Sequence, residues 1–574
     1  MTDYKEILHT YWGYDEFRPL QEDIIKSIGE GRDTLGLMPT GGGKSLTFQV
    51  PALSMQGLCL VITPLISLMK DQVANLRDKG IKAEAIYTGI EWQEINIILD
   101  NCTFGEDYKF LYISPERLAS REFLIRLANL PVSMITVDEA HCISQWGYDF
   151  RPAYLKIGEI RKMLPDVPVL ALTATATPEV VDDIQDKLLF REHNVFKKSF
   201  FRHNLSYVVR HTDDKLQMLL KILNAVPGSS VVYVRNRQHT KETADFLNEN
   251  GITAEHYHAG LSNAEKDRKQ SDWKDNSIRV MVATNAFGMG IDKPDVRTVV
   301  HMDLPDCIEA YFQEAGRAGR DGKQAWCVLL YNKTDRTKLN KRVIDNFPER
   351  EFVIKIYDII CDYYQVAVGY GLGHSFPFVI EEFCSNTHTP ILPVFSAIQI
   401  LQQAGYLAYT DAHDTQPQIQ FLVTRNKIDE LVTDKTDQKI VMMLMRNYTG
   451  VFTETTYIND DRISKSLNIN TRQLNEQLVR LAKIGILKYI PRRHTPYITF
   501  VQEREKTERV VLTKQNYDNR KERYINRLRA MLEYAEDDRF CRSQVLLGYF
   551  GETDSQPCGT CDVCRRAAAQ KRNQ

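Results

Sequence analysis

No stretch of this 574-residue chain approaches the ~18 consecutive apolar residues of a membrane span, and the opening MTDYKEILHTYWGYDEF carries acids where a secretory leader would be apolar. A membrane partner is therefore not expected, and a cytoplasmic setting is. An excess of one charge is also missing. With a formal net charge of −2 the chain has no basic coat, so a polyanionic partner would have to be held by local patches or grooves. Long proline, glycine, serine or glutamine tracts are absent too, and a hydrophobic content of 43% argues for folded domains rather than disorder. Cysteine is scarce over the first 540 residues. Cys59, Cys102, Cys142, Cys307, Cys327, Cys361 and Cys384 read as small buried apolar side chains of a reducing compartment.

The length exceeds what one core supports, at a rough ~150 residues per domain. From residue 1 to about 345, apolar runs alternate with helical-looking stretches: LCLVIT (58–63), KFLYISP (109–115), MITVDEA (134–140), VPVLALTAT (167–175), SVVYVRN (230–236), RVMVATN (279–285) and RTVVHMDLP (297–305). Continuous apolar strands separated by helices predict two parallel α/β sheets covered on both faces, split near residues 201–214. Beyond about 350 the pattern turns helical and repeats itself. LQQAGYLAY (401–409) and LAKIGILKY (481–489) match at offset 80 in Leu, Gly, Leu and Tyr, each after an amphipathic helix and before a stretch that can turn into a hairpin. Two winged-helix units are expected. RKERYINRLRAMLEYAEDD (520–538) is a charged amphipathic helix, and RRAAAQKRNQ (565–574) reads as a frayed basic tail.

MPTGGGKS (38–45) is a phosphate loop with Met38 where the first glycine usually stands. Gly41, Gly42 and Gly43 let backbone N–H groups curl around phosphate oxygens, with a helix N-terminus behind them. Lys44 is placed to reach the β- and γ-phosphates of ATP and Ser45 to ligate Mg²⁺. MITVDEAH supplies the matching carboxylates 94 residues on (138 − 44): Asp138 for the Mg²⁺ shell and Glu139 to orient or deprotonate water. In YFQEAGRAGRDG (311–322), Arg317 and Arg320 are expected on neighbouring helix positions, where they can meet charge developing on the γ-phosphate. ATP would then bind between two sheet domains.

YDEFRPLQ (14–21), MPTGGGKS, ITPLISLMKDQV (62–73), YISPERL (112–118), VDEAH, LTATAT (172–177), VVYVRNR (231–237), VATNAFGMGIDKPDVRTVVH (282–301) and QEAGRAGRDG (313–322) come in the order of a superfamily-2 helicase. Together they resemble the RecQ family of DNA helicases over residues 5 to about 340. The resemblance implies RecA-like motor domains at 1–202 and 203–345, winged-helix units at 346–432 and 433–510, a helical Cys₄ zinc subdomain at 511–566 and a tail at 567–574. It implies adenine recognition by Tyr14, Arg18 and Gln21, loop contacts through Thr40, γ-phosphate sensing by Gln313 and coupling through His141. It also implies ATP-driven 3′ to 5′ movement on single-stranded DNA and duplex unwinding in recombination and repair, in a bacterial cytoplasm and on the nucleoid. An RNA helicase and an ATP-switched DNA-binding module that does not unwind are the alternatives.

CISQWGYDFRPAY (142–154) resembles the family's aromatic-rich loop, where Trp146, Phe150 and Arg151 suit stacking on unpaired bases. KYIPRRHTPYITF (488–500) is the best candidate wing, with Arg492 and Arg493 at a basic tip that could grip duplex backbone. Cys541, Cys558, Cys561 and Cys564 follow C-x16-C-x2-C-x2-C, which suits a zinc tetrahedron or an iron–sulfur cluster. Similarity of the flanks LLGYFGE and CGTCDVC to the RecQ zinc subdomain favours zinc. In the family that subdomain usually follows the second motor domain directly. Here residues 346–510 intervene, so the zinc unit is expected to return and pack on the second motor domain.

Overall fold

Runs of branched and aromatic residues that alternate with helices become strands buried on both faces. A computed structural model describes residues 3–573 except 40, 88–89, 91, 106, 289–292, 411–416, 433, 449, 453–455 and 491–495. It divides into two compact units, one of residues 1–340 with 523–574 and one of 341–522.

The first unit contains two wholly parallel sheets. One has the order Lys82–Ile86, Tyr108–Ile113, Leu58–Ile62, Val132–Val137, Val169–Thr173, Thr34–Leu37, Val195–Lys197. The other runs Ala254–Tyr257, Val280–Ala283, Ser229–Tyr233, Val296–His301, Ala325–Tyr331, Leu205–His211. In each, helices cover the faces and the carboxyl ends of the strands open onto loops, where ligands of such sheets bind. Residues 523–574 return to this unit. Phe550 packs between Phe200 and Phe312, with ring centroids 5.1 and 5.0 Å away, and Tyr534 stands 5.2 Å from Tyr311. Lys197 Nζ donates to Phe550 O (2.9 Å), and Glu552 accepts from Ser199 Oγ (2.7 Å) and Phe200 N (2.9 Å). The cysteine-bearing segment therefore sits on the second sheet domain and on the chain that enters it.

In the second unit the offset-80 repeat is structural. Helices Ile391–Gln403 and Thr471–Lys483 (471 − 391 = 80) both end before a glycine with left-handed φ, Gly405 (84°) and Gly485 (76°). The strands Leu407–Thr410 and Leu487–Ile490 follow. The expected hairpins do not form. Leu407–Thr410 pairs antiparallel with Tyr497–Phe500, which also pairs with Ser375–Pro377, whereas Leu487–Ile490 pairs with Gln418–Phe421. The unit of 418–490 is thus nested between strands of the other. Its own core explains this: Ile419, Phe421 and Leu487 pack with Ile440, Leu444, Leu474, Leu478 and Leu481 of the intervening helices. KYIPRRHTPYITF is consequently not a wing, because its two strands belong to different sheets. Arg492 and Arg493 lie outside the described residues.

The tail also differs from expectation, since Asp562–Asn573 is a helix. Ala, Gln, Lys and Arg are strong helix formers, and Asp562 stands in its first turn, where a carboxylate favours the helix dipole. Arg566 ties it to Asp538 (2.8 Å) and also pairs with Asp562 one turn earlier in the same helix (3.5 Å).

Candidate nucleotide site, aromatic stretch and metal centre

Met38, where the phosphate-loop pattern has glycine, directly follows the strand Thr34–Leu37 and continues its ladder by one bond. Its N–H donates to Thr173 O (3.1 Å), and its side chain is buried with Ile24, Phe48 and Leu170. The turn comes afterwards. Gly41 (φ 78°) and Gly43 (φ 77°) are left-handed, and a Cβ at Gly42 would stand 2.8 Å from Pro39 O. Lys44 and Ser45 open the helix Lys44–Ser54 behind it, as an anion site requires. Two side chains brace the loop: Arg18 Nη1 donates to Gly41 O and Gln21 Nε2 to Gly43 O, both at 2.9 Å. Tyr14 is exposed, and Thr40 lies outside the described residues.

Asp138 ends the strand Val132–Val137, with Oδ1 accepting from Glu139 N (2.9 Å) and Oδ2 from Thr63 Oγ1 (3.4 Å). Burial and the neighbouring Glu139 push the Asp138 carboxyl up to about 6, against the pull of Lys44. Burial would raise Glu139 too, but Lys44, His141, Arg317 and Arg151 together hold it below the usual carboxylate range. Glu139 takes a left-handed φ of 47°, costly for a side chain that is not glycine. Its Oε2 is buried with no hydrogen-bond partner among the described residues, 3.5 Å from His141 Nδ1.

His141 bonds Thr173 Oγ1 (2.9 Å), and the Tyr148 ring stacks on its other side at 4.9 Å, 12° from parallel. The Tyr148 hydroxyl then donates to Gln313 Oε1 at 2.7 Å. Gln313 belongs to the helix Ile308–Ala315 of the second sheet domain. One tyrosine of the aromatic stretch therefore joins the carboxylate strand of one sheet to the glutamine helix of the other. Gly147 permits this close fold-back, because a Cβ there would lie 2.4 Å from His141 O.

Arg317 and Arg320 are not on that helix. It ends at Ala315, and both arginines sit in the turn that Gly316, Gly319 (φ 56°) and Gly322 (φ 80°) create. The turn aims them differently. Arg320 lays its stem over the phosphate loop, 3.2 Å from where a Gly41 Cβ would be. Arg317, 5% exposed, donates to Gly288 O and keeps Nε without an acceptor among the described residues. Its charge acts on Glu139.

Trp146 is 50% exposed, so it is no core residue. Phe150 is half-buried, and Arg151 pairs with Asp149 (3.0 Å).

The four C-terminal sulfurs all lie within 4.8 Å of one another, with Cys541 and Cys561 Sγ 3.9 Å apart. A tetrahedron with Zn–S of ~2.3 Å has edges of ~3.8 Å, so this donor set fits zinc. Backbone N–H groups of Cys558, Cys561 and Cys564 donate to Sγ of Cys541, Cys558 and Cys561 at 3.3, 3.3 and 3.4 Å, which favours thiolates. Beside them Arg542, 1% exposed, pairs with Asp562 (3.1 Å) and Asp538.

Two RecA-like sheets that present a phosphate loop and carboxylates on one side and arginines on the other are the build of a superfamily-2 motor. Residues 18–184 match the DEAD/DEAH box helicase model and 214–322 the helicase conserved C-terminal domain. Residues 419–491 match the RecQ helicase winged-helix domain of Bacteroidota, and 501–565 the RecQ zinc-binding domain. The probable ATP-dependent DNA helicase RecS of Bacillus subtilis is 42% identical over 58% of this chain and 67% of its own length. The ATP-dependent DNA helicases RecQ of Bacillus subtilis and Pasteurella multocida are 44% and 40% identical, over 58% and 60% of this chain and 56% and 55% of theirs. This chain belongs to the RecQ family of helicases, with ATP, Mg²⁺ and Zn²⁺ as its cofactors. It spans between about half and two thirds of the length of these relatives.

Proposed function

We propose that the protein is a DNA-stimulated ATPase that moves 3′ to 5′ along single-stranded DNA and unwinds duplexes in recombination and repair, in the bacterial cytoplasm and on the nucleoid. The observation that carries this reading is the chain His141, Tyr148, Gln313, which gives the aromatic stretch a direct hold on both halves of the nucleotide site.

In this mechanism Lys44 and the N–H groups of Gly41 to Gly43 hold the β- and γ-phosphates, while Tyr14, Arg18 and Gln21 flank the adenine and brace the loop. Ser45 and Asp138 would hold Mg²⁺, which supplies charge neutralisation between the phosphates. Glu139, kept ionised by its cationic neighbours, orients the attacking water and accepts its proton. Arg317 and Arg320 stabilise charge on the leaving phosphates when the two sheets close. Trp146 and Phe150 stack on unpaired bases with Arg151 beside them, and Tyr148 passes that occupancy to Gln313.

The test is the stimulation of ATP hydrolysis by a single-stranded oligothymidine. Trp146→Ala loses most of the stimulation, and Tyr148→Phe, which removes one hydrogen bond of ~0.5–1.5 kcal/mol, lowers the stimulated rate by about 2- to 13-fold. Full stimulation in both variants would contradict the coupling assigned to the aromatic stretch.

A further inference from the structure

The helix Asp518–Glu536, charged and amphipathic in sequence, leads into the zinc site. Two of its arginines are committed elsewhere. Arg523 Nη1 donates to Gln145 O (3.1 Å), and its guanidinium lies 4.6 Å over the Trp146 ring. Arg527, one turn later, donates to Trp146 O and approaches Glu309 Oε1 at 3.5 Å. Glu309 is buried on the helix Ile308–Ala315, the helix that carries Gln313. Two like charges four residues apart repel on a helix, and burial and Arg527 both hold Arg523 below the usual guanidinium range, with Asp183 opposing them. Both nonetheless grip the same loop, Arg523 through the Trp146 ring and Gln145 O and Arg527 through Trp146 O.

A guanidinium on a tryptophan face and a nucleic-acid base on the same face are interactions of similar size. They compete for one surface. We propose that Arg523 and Arg527 are positioning residues that make hydrolysis wait for DNA: Arg523 occupies a face of Trp146 that an unpaired base would take, and Arg527 ties that loop's backbone to Glu309. A strand that stacks on Trp146 must displace Arg523, which frees the Gln145–Trp146 segment and, through Tyr148, alters the hold on Gln313. The zinc unit thereby helps to set the DNA dependence of the motor. This rests on the reading that Trp146 stacks on unpaired bases.

The experiment uses the full chain and follows steady-state ATP hydrolysis without DNA and across an oligothymidine titration. It compares wild type, Arg523→Ala, Arg523→Lys and Trp146→Ala, with zinc content and thermal melting as controls for folding. Arg523→Ala is expected to hydrolyse ATP about two- to fivefold faster than wild type without DNA, the size of a lost exposed cation–π contact. Arg523→Lys, which keeps a cation over the ring and perturbs packing less, is expected to stay close to wild type. A DNA-free rate in Arg523→Ala that is unchanged or lower overturns the proposal. If Arg523→Ala does not hold zinc, Arg523→Gln replaces it under the same criterion. Loss of stimulation in Trp146→Ala alongside an unchanged Arg523→Ala rate removes this inference alone, whereas full stimulation in Trp146→Ala removes the base-stacking reading beneath it.

Discussion

Replacing Arg317 with alanine lowers the DNA-saturated ATPase rate by ~10³- to 10⁵-fold, the range an arginine finger supplies to phosphoryl transfer. The expectation follows from where the side chain is held. Arg317 is buried, anchored at one end to Gly288 O, and after Lys44 and His141 it adds to the charge that holds the Glu139 carboxyl below its usual range. Its alanine variant would lose the cation proposed to offset charge on the γ-phosphate and also part of what holds the proposed water-orienting carboxylate below the usual range. Arg317→Lys keeps the charge but not the planar fork, so it is expected to recover little of the rate. Turnover measured at saturating oligothymidine and ATP checks this, and a rate within tenfold of wild type contradicts it. The effect belongs to the chemical step.

Loss of the metal acts on a different quantity. Cys561→Ser, at a fully buried ligand, is expected to abolish zinc binding and unfold the segment that follows Arg523. A Cys₄ zinc site contributes ~10–16 kcal/mol of apparent binding energy to folding, as much as the whole ~5–15 kcal/mol net stability of an ordinary domain. Packing and a few hydrogen bonds, Lys197 to Phe550 O and Glu552 to Ser199 and Phe200, hold the rest of this segment. Its apolar contacts with the motor centre on Phe550 and Tyr534, and Arg542 sits buried among Asp538 and Asp562, an arrangement that is costly once the knuckles around it open. The checks are zinc stoichiometry, the melting curve and limited proteolysis, in which new cleavage falls beyond residue 523. A variant that melts like wild type and resists cleavage there would show that packing, not metal, holds the unit.

The candidate nucleotide site stands out in the sequence because phosphate chemistry leaves few choices. Lys44 after three glycines and Asp138-Glu139 after an apolar strand are found from residue type and spacing, and the four cysteines likewise. Geometry that depends on distant partners was not legible. Tyr148 and Gln313 are 165 residues apart in sequence, so their hydrogen bond has no local signal. Arg523 and Arg527 lie on a helix whose composition matches any solvated face. Arg317 and Arg320 were misplaced because Gln-Glu-Ala favours helix up to the point where three glycines end it. Short strands such as Lys82–Ile86 and Ala254–Tyr257 escaped notice because KAEAI and AEHY carry too much polarity to read as sheet. The exchanged pairing of Gln418–Phe421 and Tyr497–Phe500 was hidden for another reason. Each strand alternates as a hairpin strand would, and the helices between them decide the partner that buries Phe421.

Strand displacement from tailed duplexes tests the central claim most directly, comparing 3′- and 5′-tailed substrates with wild type and Lys44→Ala. Wild type is expected to release the strand from the 3′-tailed duplex in an ATP-dependent way and to leave the 5′-tailed one intact, and Lys44→Ala to release neither. Unwinding only from the 5′ tail, or full activity in Lys44→Ala, would contradict the account.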